Sequence, residues 1–315
     1  MKIVDFANNI WTNTVRSLYL VKPNMTIKIA VLTFVLTCAS ATFAQSSACA
    51  KTDYDCRIKE LRQQIAANPK DSELYYNLAL ALQNKEQYAD SVPVLSTYLS
   101  SGVTKPEYLA DGFSLRGYAN RQLGNYDRAV ADYTTAISYV SNKADHYLNR
   151  GRSYNSLRKF DLAIADMTKA ISLDGANISA FFGRGYAYME LKNNPPAIAD
   201  FTKVIALDPK ESEAFYNRGT IYYRQQKYSL AVADLDNYID LNTSNEKNLA
   251  DGYENRGLAY FYLGNTNQAI ADYTKAIEFN PVLKNAYLNR AAAYRKVGKL
   301  TLAEDDEKRA AAIQP

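Results

Sequence analysis

The chain has 315 residues, 47% of them apolar and 22% charged, with 13 Gly and 9 Pro. That is ample for a large core and too poor in Gly and Pro for a loop-rich β architecture. The formal charge is +4, and residues 1–44 carry a surplus of +3 of it, from Lys2, Arg16, Lys22 and Lys28 against Asp5. The nearly neutral remainder offers no electrostatic ground for a nucleic-acid partner.

Residues 1–44 read as a leader rather than as part of a fold. Lys28 precedes the apolar run Ile29 to Leu36, and a small-residue stretch from Thr37 to Ala44 follows it. That order is the pattern of a secretory signal peptide. Ala39-Ser40-Ala41 fits the cleavage rule best and Thr42-Phe43-Ala44 nearly as well, so the mature chain is expected to begin between Thr42 and Gln45. The run falls short of the roughly 20 residues of a membrane-spanning helix. The expected location is therefore periplasmic or secreted, with an uncleaved anchor in the inner membrane as the alternative. Met25 followed by Thr26-Ile27-Lys28-Ile29 makes a conventional signal by itself, which marks Met25 as the expected start; a long natural leader from Met1 is the alternative.

Residues 45–71 form an N-terminal segment. Cys49 and Cys56 are an even pair in a chain bound for an oxidising compartment, whereas Cys38 leaves with the signal. A Cys49–Cys56 disulfide is expected, closing a short loop and adding about 2 kcal/mol; two free thiols are the alternative. Asp55 to Asn68 reads as one helix, with Ile58, Leu61 and Ile65 on one face and Pro69 ending it. Its expected role is to cap the front of the fold.

From residue 72 onward the sequence repeats itself. Aligned units occupy 72–109, 110–143, 144–177, 178–211, 212–249, 250–283 and 284–315, and most steps are 34 residues, two being 38. Position 4 is aromatic throughout: Tyr75, Phe113, Tyr147, Phe181, Phe215, Tyr253 and Tyr287. Position 8 is Ala79, Gly117, Gly151, Gly185, Gly219, Gly257 and Ala291; position 20 is Ser91, then Ala129, Ala163, Ala197, Ala231, Ala269 and Ala303. Pro209, Pro281 and Pro315 fall at position 32, where a helix must stop. The pattern resembles the tetratricopeptide-repeat family over 72–315. The resemblance implies an all-α fold: a right-handed α-solenoid of seven tetratricopeptide helix pairs behind an N-terminal capping helix. Paired helices would approach at the small residues, and each unit would bury its apolar face only by stacking on its neighbours.

Two departures from the family pattern carry information. Position 7 is Leu in the family but here Arg116, Arg150, Arg184, Arg218, Arg256 and Arg290 in units two to seven; in the same units position 23 is Asp132, Asp166, Asp200, Asp234, Asp272 and Asp306. Unit one lacks both, carrying Leu78 and Val94. Charges that appear and vanish together predict an ion pair inside each unit, serving register more than stability; charges copied with the repeat and facing water are the alternative. A longer period is also visible, because units one to three recur as five to seven. Both four-residue insertions end alike, in Leu109-Ala110-Asp111-Gly112 and Leu249-Ala250-Asp251-Gly252, and Tyr98 and Tyr238 share position 27. At the back, the polar run Glu304 to Arg309, with Glu307 at the otherwise apolar position 24, is expected to solvate the last helix.

Residues for catalysis are wanting. His146 is the only histidine and is expected at the surface; no Cys/His set has zinc spacing and no Gly-rich phosphate loop occurs. The chain is therefore expected to be no enzyme and to use no cofactor, with a protein or peptide partner and neither nucleic acid nor small-molecule substrate. The resemblance places positions 2, 5, 6, 9, 12 and 13 of the first helix of each unit on a concave groove. Position 6 is Asn77, Asn149, Asn217, Asn255 and Asn289 in five units, able to pair with a peptide backbone. Tyr118, Arg152 and Tyr186 at position 9, with Arg121 and Tyr223 at position 12, supply the aromatic and Arg groups that carry interface energy. The family's clamp for a C-terminal carboxylate needs Lys at position 5, where this chain has Tyr76, Ser114, Leu148, Phe182, Tyr216, Glu254 and Leu288. The expected function is a non-catalytic scaffold of the cell envelope that holds its partner in this groove. The alternative is an accessory subunit of an envelope enzyme or assembly machine, binding through the convex face.

Overall fold

The computed structural model describes residues 49–50, 52–242 and 246–313. The leader, with Trp11, Met25 and the expected cleavage region, lies outside them, as does Pro315. The described residues form fifteen α-helices and no strand, in two compact units divided between Glu86 and Gln87.

The first unit holds α1 (Tyr54–Ala67) and α2 (Ser72–Asn84). The side chain of Asp53 accepts from the Cys56 backbone N–H at 3.0 Å and so caps α1. Cys49 and Cys56 are joined by a disulfide across a Cα–Cα distance of 5.7 Å, tying the incoming chain to that first turn. Ile58 is buried while Leu61 and Ile65 are half-buried, and α1 packs on α2. Lys85 pairs with Asp55.

The second unit alternates helices of two kinds, A and B. It opens with the B helix α3 (Tyr88–Ser100) and continues through the pairs α4 (Pro106–Gln122) with α5 (Tyr126–Tyr139), α6 (Ala144–Ser156) with α7 (Phe160–Leu173), and α8 (Ile178–Glu190) with α9 (Asn194–Leu207). The pairs α10 (Ser212–Arg224) with α11 (Tyr228–Leu241), α12 (Glu246–Tyr262) with α13 (Thr266–Phe279), and α14 (Lys284–Lys296) with α15 (Leu300–Ala312) complete it. Each A helix packs on its own B helix, and each B helix on the next A helix. The turn inside each pair passes through the left-handed region at position 15. Gly124, Gly264 and Gly298 accept this freely, whereas Arg158, Lys192 and Gln226 hold φ near 60°, a strain of about 1 kcal/mol for a residue with a side chain.

Close approach explains the small residues at position 8. A Cβ on Gly117 would stand 3.2 Å from the Tyr133 ring, and one on Gly257 2.8 Å from Tyr273. The two four-residue insertions become one extra turn at the start of an A helix, since α4 and α12 have 17 residues and the other A helices 13. They coincide with a volume exchange. Tyr98 and Tyr238 fill the gap at position 27, and a Cβ on Gly112 or Gly252 opposite them would come within 2.6 Å or 2.9 Å of the ring. The Tyr98 hydroxyl donates to the carbonyl of Tyr108 in the added turn at 3.1 Å. Between units two and three the residue sizes are reversed, with Ala136 at position 27 and His146 at position 3. His146 is not at the surface as expected. It is 2% exposed, with Nδ1 3.3 Å from the Val140 carbonyl, and burial holds its pKa below the usual value.

The six Arg–Asp pairs join three helices each. Arg218 grips Asp234 with a two-pronged fork, Nε to Oδ2 at 2.9 Å and Nη2 to Oδ1 at 2.7 Å, tying α10 to α11. Its Nη1 donates to Thr202 of the preceding α9 at 2.9 Å. Its faces lie on Phe215 at 5.9 Å and Tyr222 at 6.0 Å, the residues three before and four after it on the same helix. Arg150, Arg184 and Arg290 repeat this with Asp166, Asp200 and Asp306, and with Thr134, Thr168 and Thr274 of the preceding B helix. In the two units that follow an insertion, Arg116 pairs with Asp132 and reaches Ser96, while Arg256 pairs with Asp272 and replaces the hydroxyl contact by a second ion pair to Asp236 at 2.7 Å. In the last pair Glu307 is held by Arg295 at 2.8 Å, which gives the position that is buried in the other pairs a solvated partner.

Because Asp234 is buried at 5% exposure, removing only its partner leaves an uncompensated carboxylate. Arg218→Leu is expected to lower unfolding free energy by about 3 kcal/mol. Adding Asp234→Val is expected to recover much of that loss, since unit one carries Leu78 and Val94 at the same positions. Urea unfolding of both variants checks this; losses that simply add would show that the two residues are not coupled.

Candidate functional site

Successive A helices of the second unit touch one another, α4 with α6 and so on to α14, whereas among the described residues no two B helices approach so closely. A stack whose A layer is shorter than its B layer curves toward the A helices. The candidate site is this A-helix face, and the groove residues named from the sequence in this unit lie on it. Asn77 lies on α2 of the first unit, half-buried.

The asparagines do not form a uniform open ladder. Asn149 on α6 is half-buried, with a buried Oδ1 that has no hydrogen-bond partner among the described residues. Asn217 is only 6% exposed, so its amide is buried on that face rather than open along it. The Asn255 amide donates to the Tyr216 hydroxyl and to the Asp251 carbonyl, both at 2.9 Å. Asn289 reaches Glu254 at 3.4 Å. The tertiary structure thus spends two of these amides, those of Asn255 and Asn289, on neighbouring helices.

Aromatic and cationic groups fill the first half of the face. Tyr118 on α4 meets Tyr88 edge-on at 5.9 Å and receives a hydrogen bond from Gln122 at 2.8 Å. Arg121 is buried and stacks over Tyr118 at 5.5 Å. Burial, and then the nearby Arg121, pulls the pKa of Arg152 down, although a guanidinium keeps its proton. Tyr186 on α8 packs edge-on against Phe160 at 6.3 Å, and burial lifts its hydroxyl to about 12. Further along, Tyr223, Tyr228 and Tyr262 form a cluster in which Tyr228 and Tyr262 stack at 5.3 Å, and Tyr262 is 56% exposed.

Where α10 meets α12 the face is acidic, which the sequence reading missed. Glu213 at position 2 of α10 is 4% exposed, and burial, then Glu211 and Asp251, push its carboxyl up to about 9. Burial and Asp251 push Glu254 to about 7. The same carboxylates, after burial, raise the Tyr216 hydroxyl. The signal was present as acidic residues at groove positions 2 and 5 of two consecutive units, but their approach across the α10–α12 contact was not legible.

This stack of paired helices defines the chain as an α-helical repeat protein. Models of the tetratricopeptide repeat match residues 115–178, 212–245 and 250–281, and a TPR repeat model matches 185–226. The chain belongs to the tetratricopeptide-repeat family, and it is a protein-interaction scaffold. A solved structure of the MamA protein is 29% identical and superimposes with a TM-score of 0.50 over 53% of this chain and 89% of its own. YrrB, a TPR protein with an unusual peptide-binding site, is 23% identical with a TM-score of 0.51 over 58% of this chain and 92% of its own. The C-terminal part of a TPR repeat-containing protein from Cytophaga hutchinsonii shares the fold more extensively, with a TM-score of 0.63 at 20% identity over 76% of this chain and 95% of its own. No curated protein matches the sequence.

A carboxyl whose folded pKa is raised stabilises the fold fully below its unfolded pKa and loses that contribution as pH climbs through the folded value. For Glu213 that window runs upward from the ordinary glutamate range to about 9. Glu213→Gln is expected to leave stability unchanged at pH 4 and to raise it by about 2 kcal/mol at pH 8. Thermal melts of both proteins across this range check the sign; a variant less stable than the parent at pH 8 would show that Glu213 has a partner when ionised.

Proposed function

We propose that this chain is an exported scaffold of the cell envelope that holds an extended segment of a partner protein along its A-helix face. The observation that carries the reading is the succession of touching A helices bearing half-buried aromatic and polar side chains: Tyr118, Arg152, Tyr186, Tyr223 and Asn255. Such a stripe offers ring faces for side chains and amides for backbone along one continuous line. The Arg–Asp pairs do not compete for this role, because each is saturated within the stack. Export is supported by the leader of residues 1–44 and by the Cys49–Cys56 disulfide, a bond that persists in oxidising compartments. Among the described residues no helix is long and apolar enough to cross a membrane. Membrane attachment would therefore rest on an uncleaved leader.

A second reading has its own observation. Leu162 on α7, Leu230 on α11 and Leu302 on α15 share position 19 and are 49%, 49% and 45% exposed on B helices. An accessory subunit of an envelope enzyme or assembly machine would dock there. Photo-crosslinking residues placed at Tyr223 and, separately, at Leu230 distinguish the two faces in cells. Adducts from position 223 and none from position 230 are expected; the reverse would move the partner to the B helices.

Export has a direct check. The exported protein is expected to have an intact mass that begins between Thr42 and Gln45 and to lack tryptophan emission, because Trp11 is the only tryptophan. Retention of Trp11 in that fraction would overturn it.

A further inference from the structure

Six aspartates are buried in the second unit, and each is gripped by an arginine of its own pair: Asp132, Asp166, Asp200, Asp234, Asp272 and Asp306. Glu213 breaks that rule. It is buried to the same degree, at 4% exposure, yet its Oε1 has no hydrogen-bond partner among the described residues. The charged groups that act on it are Glu211 and Asp251, both acidic. An isolated carboxylate out of water costs several kcal/mol unless a cation or donor compensates it. The repeat supplies that cation six times from within and withholds it here.

Around Glu213 the A-helix face gathers further acidic and aromatic groups. Asp251 and Glu254 on α12 are half-buried and so remain reachable from the groove. The Tyr216 ring lies beside them, its hydroxyl fixed by the Asn255 amide at 2.9 Å and its ring set against Tyr238 at 4.8 Å. Carboxylates beside an aromatic face bind an ammonium or guanidinium through charge and ring quadrupole together. No group of three His, Cys, Asp or Glu that could hold a metal ion occurs among the described residues, which favours an organic cation. Seven residues further along α10, about 10 Å by helix rise, Tyr223 and the exposed Tyr262 continue the same line.

We infer that Glu213, Asp251, Glu254 and Tyr216 form a receptor for a basic side chain, arginine foremost, of the segment that lies in the groove. The inference rests on the groove reading and adds the chemistry of the partner. The incoming guanidinium takes the place that Arg218 or Arg256 takes beside the structural aspartates. Its contacts fall on Asp251 and Glu254, with Glu213 as the floor beneath.

The test uses two fluorescent Gly-Ser peptides that differ only at the centre, one carrying Arg-Tyr-Arg and the other citrulline in place of each arginine, and bearing a photo-reactive group. Anisotropy titration is expected to show the arginine peptide binding about tenfold more tightly than the citrulline peptide. The Asp251→Asn/Glu254→Gln double variant is expected to lose that preference, binding the two peptides with equal affinity. The citrulline arm needs no variant, so a folding defect does not obscure the result. Equal affinity for the two peptides, or binding of neither, overturns the receptor. Equal affinity with crosslinks confined to the A helices leaves the groove reading standing without it. Crosslinks confined to the B helices overturn both.

Discussion

The arrangement of the second unit depends on one guanidinium per helix pair. At position 7 of each A helix in the second unit, an arginine holds the aspartate of its own B helix in a fork. It also donates to the preceding B helix and lies between two aromatic rings of its own helix where both are present. Three helices meet at that group, so their relative heights are set by hydrogen-bond geometry rather than by apolar packing alone. Apolar packing is non-directional and tolerates sliding; a bidentate guanidinium does not. The net energy of each joint is small because desolvation offsets most of the attraction, and its contribution is register.

Register in turn makes the A-helix face. With each pair held at the same height, side chains at positions 2, 6, 9 and 13 recur on one stripe by the helical period, and the touching A helices run those stripes together. The face that results is not uniform. Its first half carries Arg121 and Arg152 among tyrosines, and its second half carries Glu213, Asp251 and Glu254 around Tyr216. Six buried aspartates each own an arginine, whereas the equally buried Glu213 owns none.

The two extra turns show how a repeat absorbs change without losing its joints. Each insertion lengthens an A helix at its start, away from position 7, and its Gly at position 3 yields space to the Tyr at position 27 of the unit before. The arginine after each insertion keeps its fork: Arg116 on Asp132 and Arg256 on Asp272, both at 2.7 Å.

By itself the sequence determined the class of fold. A 34-residue period with fixed small, aromatic and charged positions is a one-dimensional signal, and the contacts it encodes are close in sequence, sixteen residues apart for every Arg–Asp pair. The co-occurrence of Arg at 7 and Asp at 23 was readable for the same reason. The tertiary structure alone decided what depends on the space between neighbouring units. Thr202 beside Arg218 was not legible, nor was His146 turned inward, nor the burial of Asn217. The same holds for the amide of Asn255 spent on Tyr216, and for Glu213 brought against Asp251, thirty-eight residues away. A periodic pattern states which residue types recur. Whether a given side chain ends buried, bonded or open is settled by the volume and charge that the adjoining repeat presents to it, and those differ at each step.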